Sequence, residues 1–172
     1  MKYWFTSDTH YFHDNIIKHT HRPFKNVEEM NETMIKNYNS LVKPEDVTYF
    51  LGDFAWKNHK QILKRLNGHI IFILGNHDNH TALKTNVVKA EILLGGKEML
   101  LVHNPAHVEE GFRYNLVGHV HKLWKKKVTK KGTVMLNVGV DQHNFFPVSL
   151  KQVLKELEGK IKWCVVYVKL LS

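Results

Sequence analysis

Apolar residues in this chain gather in short runs, and the runs stop at the same few kinds of residue. "KYWFTSDTH" ends at Asp8 and His10, "VTYFLGD" at Asp53, and "IIFILGNHD" at Asn76, His77 and Asp78. "EMLLVHNP" ends at His103, and "NLVGHVH" at His119 and His121. Runs rich in Val, Ile, Phe and Tyr, bounded by turn residues, predict buried strands. Gly52, Gly75 and Gly118 each stand directly before the polar tip. In α/β sheets, ligands bind beyond the carboxyl ends of the strands. The pattern therefore predicts one site assembled from five strand tips.

Helical periodicity fills the intervals. "NVEEMNETMIKNYNSLV" predicts a helix with Asn26 as N-cap and Glu29 placed for a capping box. Met30, Met34, Tyr38 and Leu41 recur at helical spacing and predict a core-facing stripe. "KQILKRLNG" predicts a short helix stopped by Gly68, and a weak helix begins near Thr81. "KAEILL" and "EMLLV" are joined through Gly95 and Gly96, a hairpin signal. The stretch from Glu109 to Tyr114 reads as irregular or as a short helical turn. "KKKVT" and "TVMLNVGV" predict a second hairpin. "SLKQVLKELEG" predicts a helix capped by Ser149 and ended by Gly159, and "KIKWCVVYVKLL" a last strand. No repeat, low-complexity stretch or linker breaks the sequence, so residues 1–172 are expected to form a single α/β domain with mixed sheets.

Composition narrows the class. With 172 residues and hydrophobic content of 43%, the chain suits one ordinary globular core. No run is long or apolar enough to span a membrane, and the N-terminus lacks the features of a signal peptide. The single cysteine, Cys164, lies in an apolar run and reads as a buried strand thiol. A lone cysteine excludes an intrachain disulfide framework, and a cytoplasmic location is expected. The formal charge is +9. Much of it sits in "KLWKKKVTKKGT", between Lys122 and Lys131. That segment could track nucleic-acid phosphates, with Trp124 as a stacking platform. It could equally be a solvated hairpin turning at Lys131-Gly132, its lysines guarding an edge strand.

The tips themselves suggest metal chemistry. Asp8 and His10 are two apart, as are His119 and His121, and a period-two strand sets such a pair on one side. Asp53 offers a carboxylate able to bridge two cations, Asn76 a neutral carbonyl oxygen, and His103 another imidazole. Seven ligand-type residues exceed one tetrahedral ion, whereas two ions sharing Asp53 would use them all. Mixed carboxylate, imidazole and amide ligands suit Mn²⁺, with Fe, Zn²⁺ or Ni²⁺ as alternatives. Two such ions roughly 3.5–4 Å apart clamp an in-line displacement at phosphorus and lower the pKa of a bridging water. His77, not needed as a ligand, is then the general acid for the leaving oxygen, and Asp78 could orient or charge its imidazole.

Asp8-x-His10, Gly52-Asp53, Gly75-Asn76-His77-Asp78, His103 and Gly118-His119-x-His121 resemble, in order, the five motifs of the calcineurin-like metallophosphoesterases. The small size and the "RPF", "NVGVD" and "PVSL" segments are most similar to short phage and bacterial members without a cap domain. The resemblance implies a four-layer αββα sandwich of two mixed β-sheets flanked by helices. It assigns Asp8, His10, Asp53 and His121 to a first ion, and Asp53, Asn76, His103 and His119 to a second. His77 matches the catalytic histidine and Asp78 its acidic partner. Trp56 and Lys57 stand where many relatives carry a second Asp and the family's protein phosphatases an Arg, which argues against a protein phosphatase.

The expected activity is metal-dependent hydrolysis of a phosphodiester, of nucleotide or nucleic-acid type, by a metal-bridging hydroxide. A small phosphomonoester is the alternative substrate. A binding module on a retired phosphoesterase fold is the competing class, as in the family's retromer subunit, but a retired site usually loses ligands and this one retains every position. His13 and Arg22 are candidates for substrate contact, Arg22 through its planar fork or else as a structural residue beside Pro23. Arg113 carries the same ambiguity. Asn137 and Asp141 read as residues that orient ligands or as turn formers.

Overall fold

The computed structural model describes residues 1–158. Gly159, the last predicted strand and Cys164 lie outside the described residues. The strands are β1 (Tyr3–Thr6), β2 (Val47–Leu51), β3 (His69–Ile73), β4 (Lys89–Leu94), β5 (Lys97–Val102), β6 (Tyr114–Val117), β7 (Lys126–Val128), β8 (Val134–Asn137) and β9 (Val148–Ser149). They form two mixed sheets, ordered β3-β2-β1-β9 and β4-β5-β6-β8-β7. In the first, β1, β2 and β3 run parallel and β9 antiparallel. In the second, β5, β6 and β8 run parallel, while β4 and β7 pair antiparallel at the two edges. This is the two-sheet α/β sandwich expected. Parallel pairing matters for function, because it brings the carboxyl ends of β1, β2 and β3 to one edge, and those of β5, β6 and β8 to one edge of their sheet.

The layers follow from which side chains are apolar. Phe5, Leu51 and Ile73 of the first sheet meet Met99, Leu101, Leu116 and Leu136 of the second in the central core. On the outer face of the first sheet lies helix α2 (Val27–Leu41), with α1 (Asp14–His19) before it and α3 (His59–Leu63) after. Met30, Met34 and Tyr38 of α2 pack there with Phe50 and Phe72. Each such methionine contributes about 1.5–3 kcal/mol by burial. Leu41 does not complete the stripe. It is the last residue of the helix and exposed, and Val42 is buried in its place. Asn26 caps α2 by accepting from the Glu29 amide at 2.9 Å, while the Glu29 carboxylate accepts from Lys25 N, one residue before the cap.

Two further helices depart slightly from the sequence reading. Helix α3 ends at Leu63, short of Gly68. Helix α4 (His80–Leu83) begins one residue before Thr81 and is capped by Asn79. Helix α5 (Leu150–Glu158) opens on a capping box, with Ser149 Oγ accepting from Gln152 N and Gln152 Oε1 accepting from Ser149 N. The outer face of the second sheet, including Leu100 and Val117, is covered by Val108, Phe112 and Trp124, which sit in loops.

Trp124 is therefore half-buried packing and not a free stacking platform. The basic hairpin is an edge: β7 carries Lys126 and Lys127. Lys122, Lys125, Lys126 and Lys131 contact His21 O, Glu156, Glu156 O and Glu110 within the chain. No helix among the described residues is long and apolar enough to cross a membrane.

Candidate metal centre

Three of the five strand tips, those after β1, β2 and β6, leave the sheet through an unusual backbone conformation. Asp8, His10, Asp53, His119 and His121 all have positive φ, between 43° and 69°. Non-glycine residues rarely adopt this left-handed region, and such strain gathers at functional sites. The kinks are held by pairing between tips. Asp8 N donates to Gly52 O, His10 N to Asp53 O, and Gly118 N to His103 O. Two glycines are required by close approach. A Cβ at Gly75 would lie 2.2 Å from Asp53 Oδ1, and one at Gly118 would lie 1.9 Å from Ser7 Oγ and 2.6 Å from Asp8 Oδ2. The glycine before the ligand is thus room for a carboxylate from another strand.

The tips converge on two groups. Ligand atoms of Asp8, His10 and His121 lie within 4.8 Å of one another, and so do those of Asp53, His103 and His119. Asp53 Oδ2 stands between the groups, 3.4 Å from His10 Nε2 and 3.4 Å from His103 Nε2. Asn76 Oδ1 is 3.1 Å from His103 Nε2. All seven residues expected as ligands are brought together.

Does this set fit two divalent cations? His10 Nε2 is buried without a hydrogen-bond partner, a costly state for a polar atom unless something else coordinates it. The backbone carbonyl of Leu51, 2.7 Å from His103 Nδ1, can only accept. It fixes the proton there and leaves Nε2 as the free lone pair. Asp141 Oδ2, 2.8 Å from His121 Nδ1, does the same for His121. The charges agree. Burial would push Asp53 up, but the His103 and His10 imidazoles hold it down at about 2. Burial works against a charged His103 too, yet the Asp53 and Asp8 carboxylates hold it up at about 9. Burial pushes His10 down to about 3 and keeps it neutral, despite Asp53. An ionised carboxylate beside a neutral, unpartnered imidazole is a cation site, and the donor set fits two ions sharing Asp53.

Around the ligands, some expectations change. His77 is exposed at the mouth, with its backbone N donating to Asp53 Oδ1 at 3.0 Å and its ring 5.7 Å from that of His10. Asp78 does not orient that ring. Its carboxylate accepts from Asp53 N, Phe54 N and Gly75 N, each at 2.8 Å, and so clamps the tips of β2 and β3 together. Asp78→Asn is accordingly expected to weaken Mn²⁺ binding by about tenfold or more and to lower stability by about 2 kcal/mol. Titration calorimetry and thermal melting would read both. Unchanged metal affinity with reduced turnover would instead restore an orienting role.

Arg22 is likewise no substrate contact. Its side chain is fully buried, Nε and Nη2 gripping Asp141 at 2.9 Å each and Nη1 and Nη2 donating to Thr9 O and Asp8 O. Asn137 Nδ2 donates to His121 O, so both Asn137 and Asp141 position His121. Arg113 lies over Tyr114 and lines a separate cleft with Glu110 and Lys131. His13 stands at the rim, its Nδ1 capping α1 by accepting from Ile16 N, and its ring 5.7 Å from His10. Two residues near the centre went unassigned in the sequence. Ser7 hydrogen-bonds Asp8 and Leu51 O. Trp56 stacks edge-on to His13, and its only signal was its place three residues after Asp53.

Comparison with known proteins agrees with this arrangement. The chain is 38% identical over 173 residues to the uncharacterised protein MJ1445 of Methanocaldococcus jannaschii, covering 93% of this chain and 94% of that one. It is 30% identical over 106 residues to the Gene 66 protein of Mycobacterium phage L5, covering 58% of this chain and 49% of the phage protein. Among solved structures, the protein of unknown function AQ665 from Aquifex aeolicus superposes with a TM-score of 0.69 at 28% identity, covering 90% of this chain and 98% of that one. The calcineurin-like phosphoesterase model matches residues 1–166, a span that holds every tip residue of the two ligand groups, and the chain therefore belongs to the calcineurin-like phosphoesterase family.

Proposed function

We propose that this chain is a dimetal phosphodiesterase acting on a nucleotide-type phosphodiester, with His77 as general acid. The observation that carries the reading is Asp53 Oδ2, equidistant from the imidazoles of the two ligand groups. When bound, two divalent ions would neutralise the phosphoryl oxygens and activate water. The protein's part is position. Leu51 O and Asp141 set the tautomers of His103 and His121. The tie from His77 N to Asp53 Oδ1 keeps the proton donor beside the shared carboxylate and outside the ligand groups.

A diester is favoured over a monoester because no arginine fork faces the centre, where Lys57 and Lys122 line neighbouring clefts as single charges. A monoester dianion carries one more charge to neutralise. The chain has three arginines. Arg22 is buried against Asp141, Arg65 pairs with Glu32, and Arg113 lies in the separate cleft. Clefts also open beside the centre, among them one lined by His13 and Trp56 and another by Leu74, Val88 and His107. A diester has two arms to place.

The test is hydrolysis of an aryl phosphodiester and an aryl phosphomonoester, with Mn²⁺ and with chelator, by wild type and His77→Ala. Turnover that requires metal and prefers the diester is expected. In His77→Ala, turnover of a poor leaving group should fall by about 10²–10⁴, with bound Mn²⁺ unchanged. Full activity of that variant on a poor leaving group would remove the acid role. Absence of turnover in wild type holding two ions would return the scaffold reading.

A further inference from the structure

Trp56 is 58% exposed at the edge of the candidate centre. It does not sit on a loose loop. Trp56 N donates to Tyr11 O at 2.8 Å, and the neighbouring Ala55 bridges to Tyr11 in parallel register. The segments after β1 and β2 therefore continue as a short paired ribbon beyond the sheet, with the indole fixed on it. One side of the indole meets the His13 ring edge-on, with centroids 4.7 Å apart, and His77 lies 6.3 Å away. His13 and His77 each stand 5.7 Å from the ring of His10. A surface thus runs from a metal-ligand imidazole, past the proton donor, to an exposed indole. Between Phe12, His13, Asp14, Asn15, Trp56 and Lys57 it forms a cleft of about 210 Å³.

We propose that this cleft is the leaving-group subsite, and that it takes an aromatic leaving group, such as a nucleoside, stacked on Trp56. The inference rests on the phosphoesterase reading and narrows its substrate. A general acid must reach the leaving oxygen to protonate it. The leaving group therefore departs on the side of His77, and the surface beside His77 is Trp56 and His13. Two other clefts beside the ligands are different in kind. One measures about 420 Å³ and is lined by Leu74, Val88 and Val102 beside the ligands Asn76 and His103, and the other about 320 Å³, lined by His21 and Leu123 beside the ligands His119 and His121; neither has a Phe, Tyr or Trp. The two arms of the diester are thereby distinguished, with the aromatic one over Trp56. Stacking on an aromatic side chain tolerates any base, because every base has a π-face. The subsite would select for a ring without selecting which ring.

The experiment uses the full chain loaded with Mn²⁺ and two paired readouts. The first is the ratio of kcat/KM for methyl phenyl phosphate over methyl hexafluoroisopropyl phosphate, whose leaving alcohols have similar acidity and differ in having a ring. The second is the ratio of affinities for phenylphosphonate and methylphosphonate, measured by calorimetry without turnover. Wild type should prefer the phenyl compound in both. Trp56→Ala should reduce each preference about tenfold, and Trp56→Phe should restore most of it. Bound Mn²⁺ reports that each variant is folded. Equal affinity of wild type for the two phosphonates, or a preference that survives Trp56→Ala, overturns the proposal. A Trp56-dependent binding preference in a protein that hydrolyses neither ester keeps the aromatic subsite and removes the reaction instead.

Discussion

Asp53→Asn is expected to lower metal-dependent hydrolysis on the order of 10³-fold and to leave the protein unable to hold two Mn²⁺ ions. The two oxygens of Asp53 have different partners. Oδ2 lies 3.4 Å from both His10 Nε2 and His103 Nε2, and Oδ1 accepts from the His77 amide at 3.0 Å. An asparagine satisfies neither arrangement. With its amide nitrogen toward the histidines, it presents protons where the shared ligand oxygen belongs. Turned around, it sets a donor against the donating N–H of His77. Either way a charge held at about 2, against burial, by the neighbouring imidazoles is lost from between the two groups. Metal ions contribute several kcal/mol to stabilising phosphoryl charge, and each 1.36 kcal/mol is tenfold in rate, which gives the magnitude. Metal analysis of the purified variant and kcat under saturating Mn²⁺ would measure it. A variant holding two ions at wild-type kcat would show that Asp53 is not the shared ligand.

Asp141→Ala should cost about 3–5 kcal/mol of stability, the penalty for leaving one member of a buried ion pair alone. Its carboxylate is fully buried and takes two bonds from the Arg22 guanidinium and one from His121 Nδ1. Removing it strands the Arg22 charge beneath the first strand tip. Arg22→Met with Asp141→Leu should recover much of the loss, because neither charge then remains. The pH dependence has a definite sign. Burial would push Asp141 up, but its bonds to His121 and Arg22 hold it down at about 2, below the ordinary 3.8. A depressed carboxylate stabilises the fold above its unfolded pKa, and the contribution fades as pH falls from about 4 toward 2. The depression is worth about 2–3 kcal/mol. Urea unfolding of wild type and variants at pH 7 and pH 3 would show it. Equal urea midpoints for wild type and Asp141→Ala at pH 7 would show that the pair does not hold the fold.

The strands and their polar tips were readable because burial and pairing impose simple local patterns. An apolar run closed by Gly-Asn-His-Asp or Gly-His-x-His has little freedom to be anything but a strand end. The stripe of Met30, Met34 and Tyr38 was readable for the same reason, and Leu41 failed because periodicity does not say where a helix stops. What stayed hidden was partnership. Nothing local in "NHD" reveals that Asp78 faces the backbone of Asp53, Phe54 and Gly75 instead of the adjacent imidazole. Nothing around Arg22 points to a carboxylate 119 residues away. The left-handed backbone at His10, His119 and His121 was equally hidden, since that conformation is signalled by glycine or asparagine and not by histidine. Trp56 could be seen only as a departure from a pattern, until the ribbon beside β1 and β2 placed it next to His13.

Ser7 and Gly139 form a parallel bridge, and Val140 N donates to Ser7 O. This stitch joins the end of β1 to the end of β8 and so ties the two sheets together at the edge that carries the ligands. It sets an order of events in the life of the molecule. The first ligand is made within the first ten residues, yet its strand tip, already paired to Gly52 and Asp53, is stitched to the end of β8 through a residue 132 positions later. Contacts so distant in sequence form late, because the loop between them must be closed first. A chain emerging from the ribosome could complete its first sheet's parallel core long before it could present both ligand groups at working separation. Capture of two ions is then expected to follow closure of that stitch, which fixes the spacing between the two ligand groups.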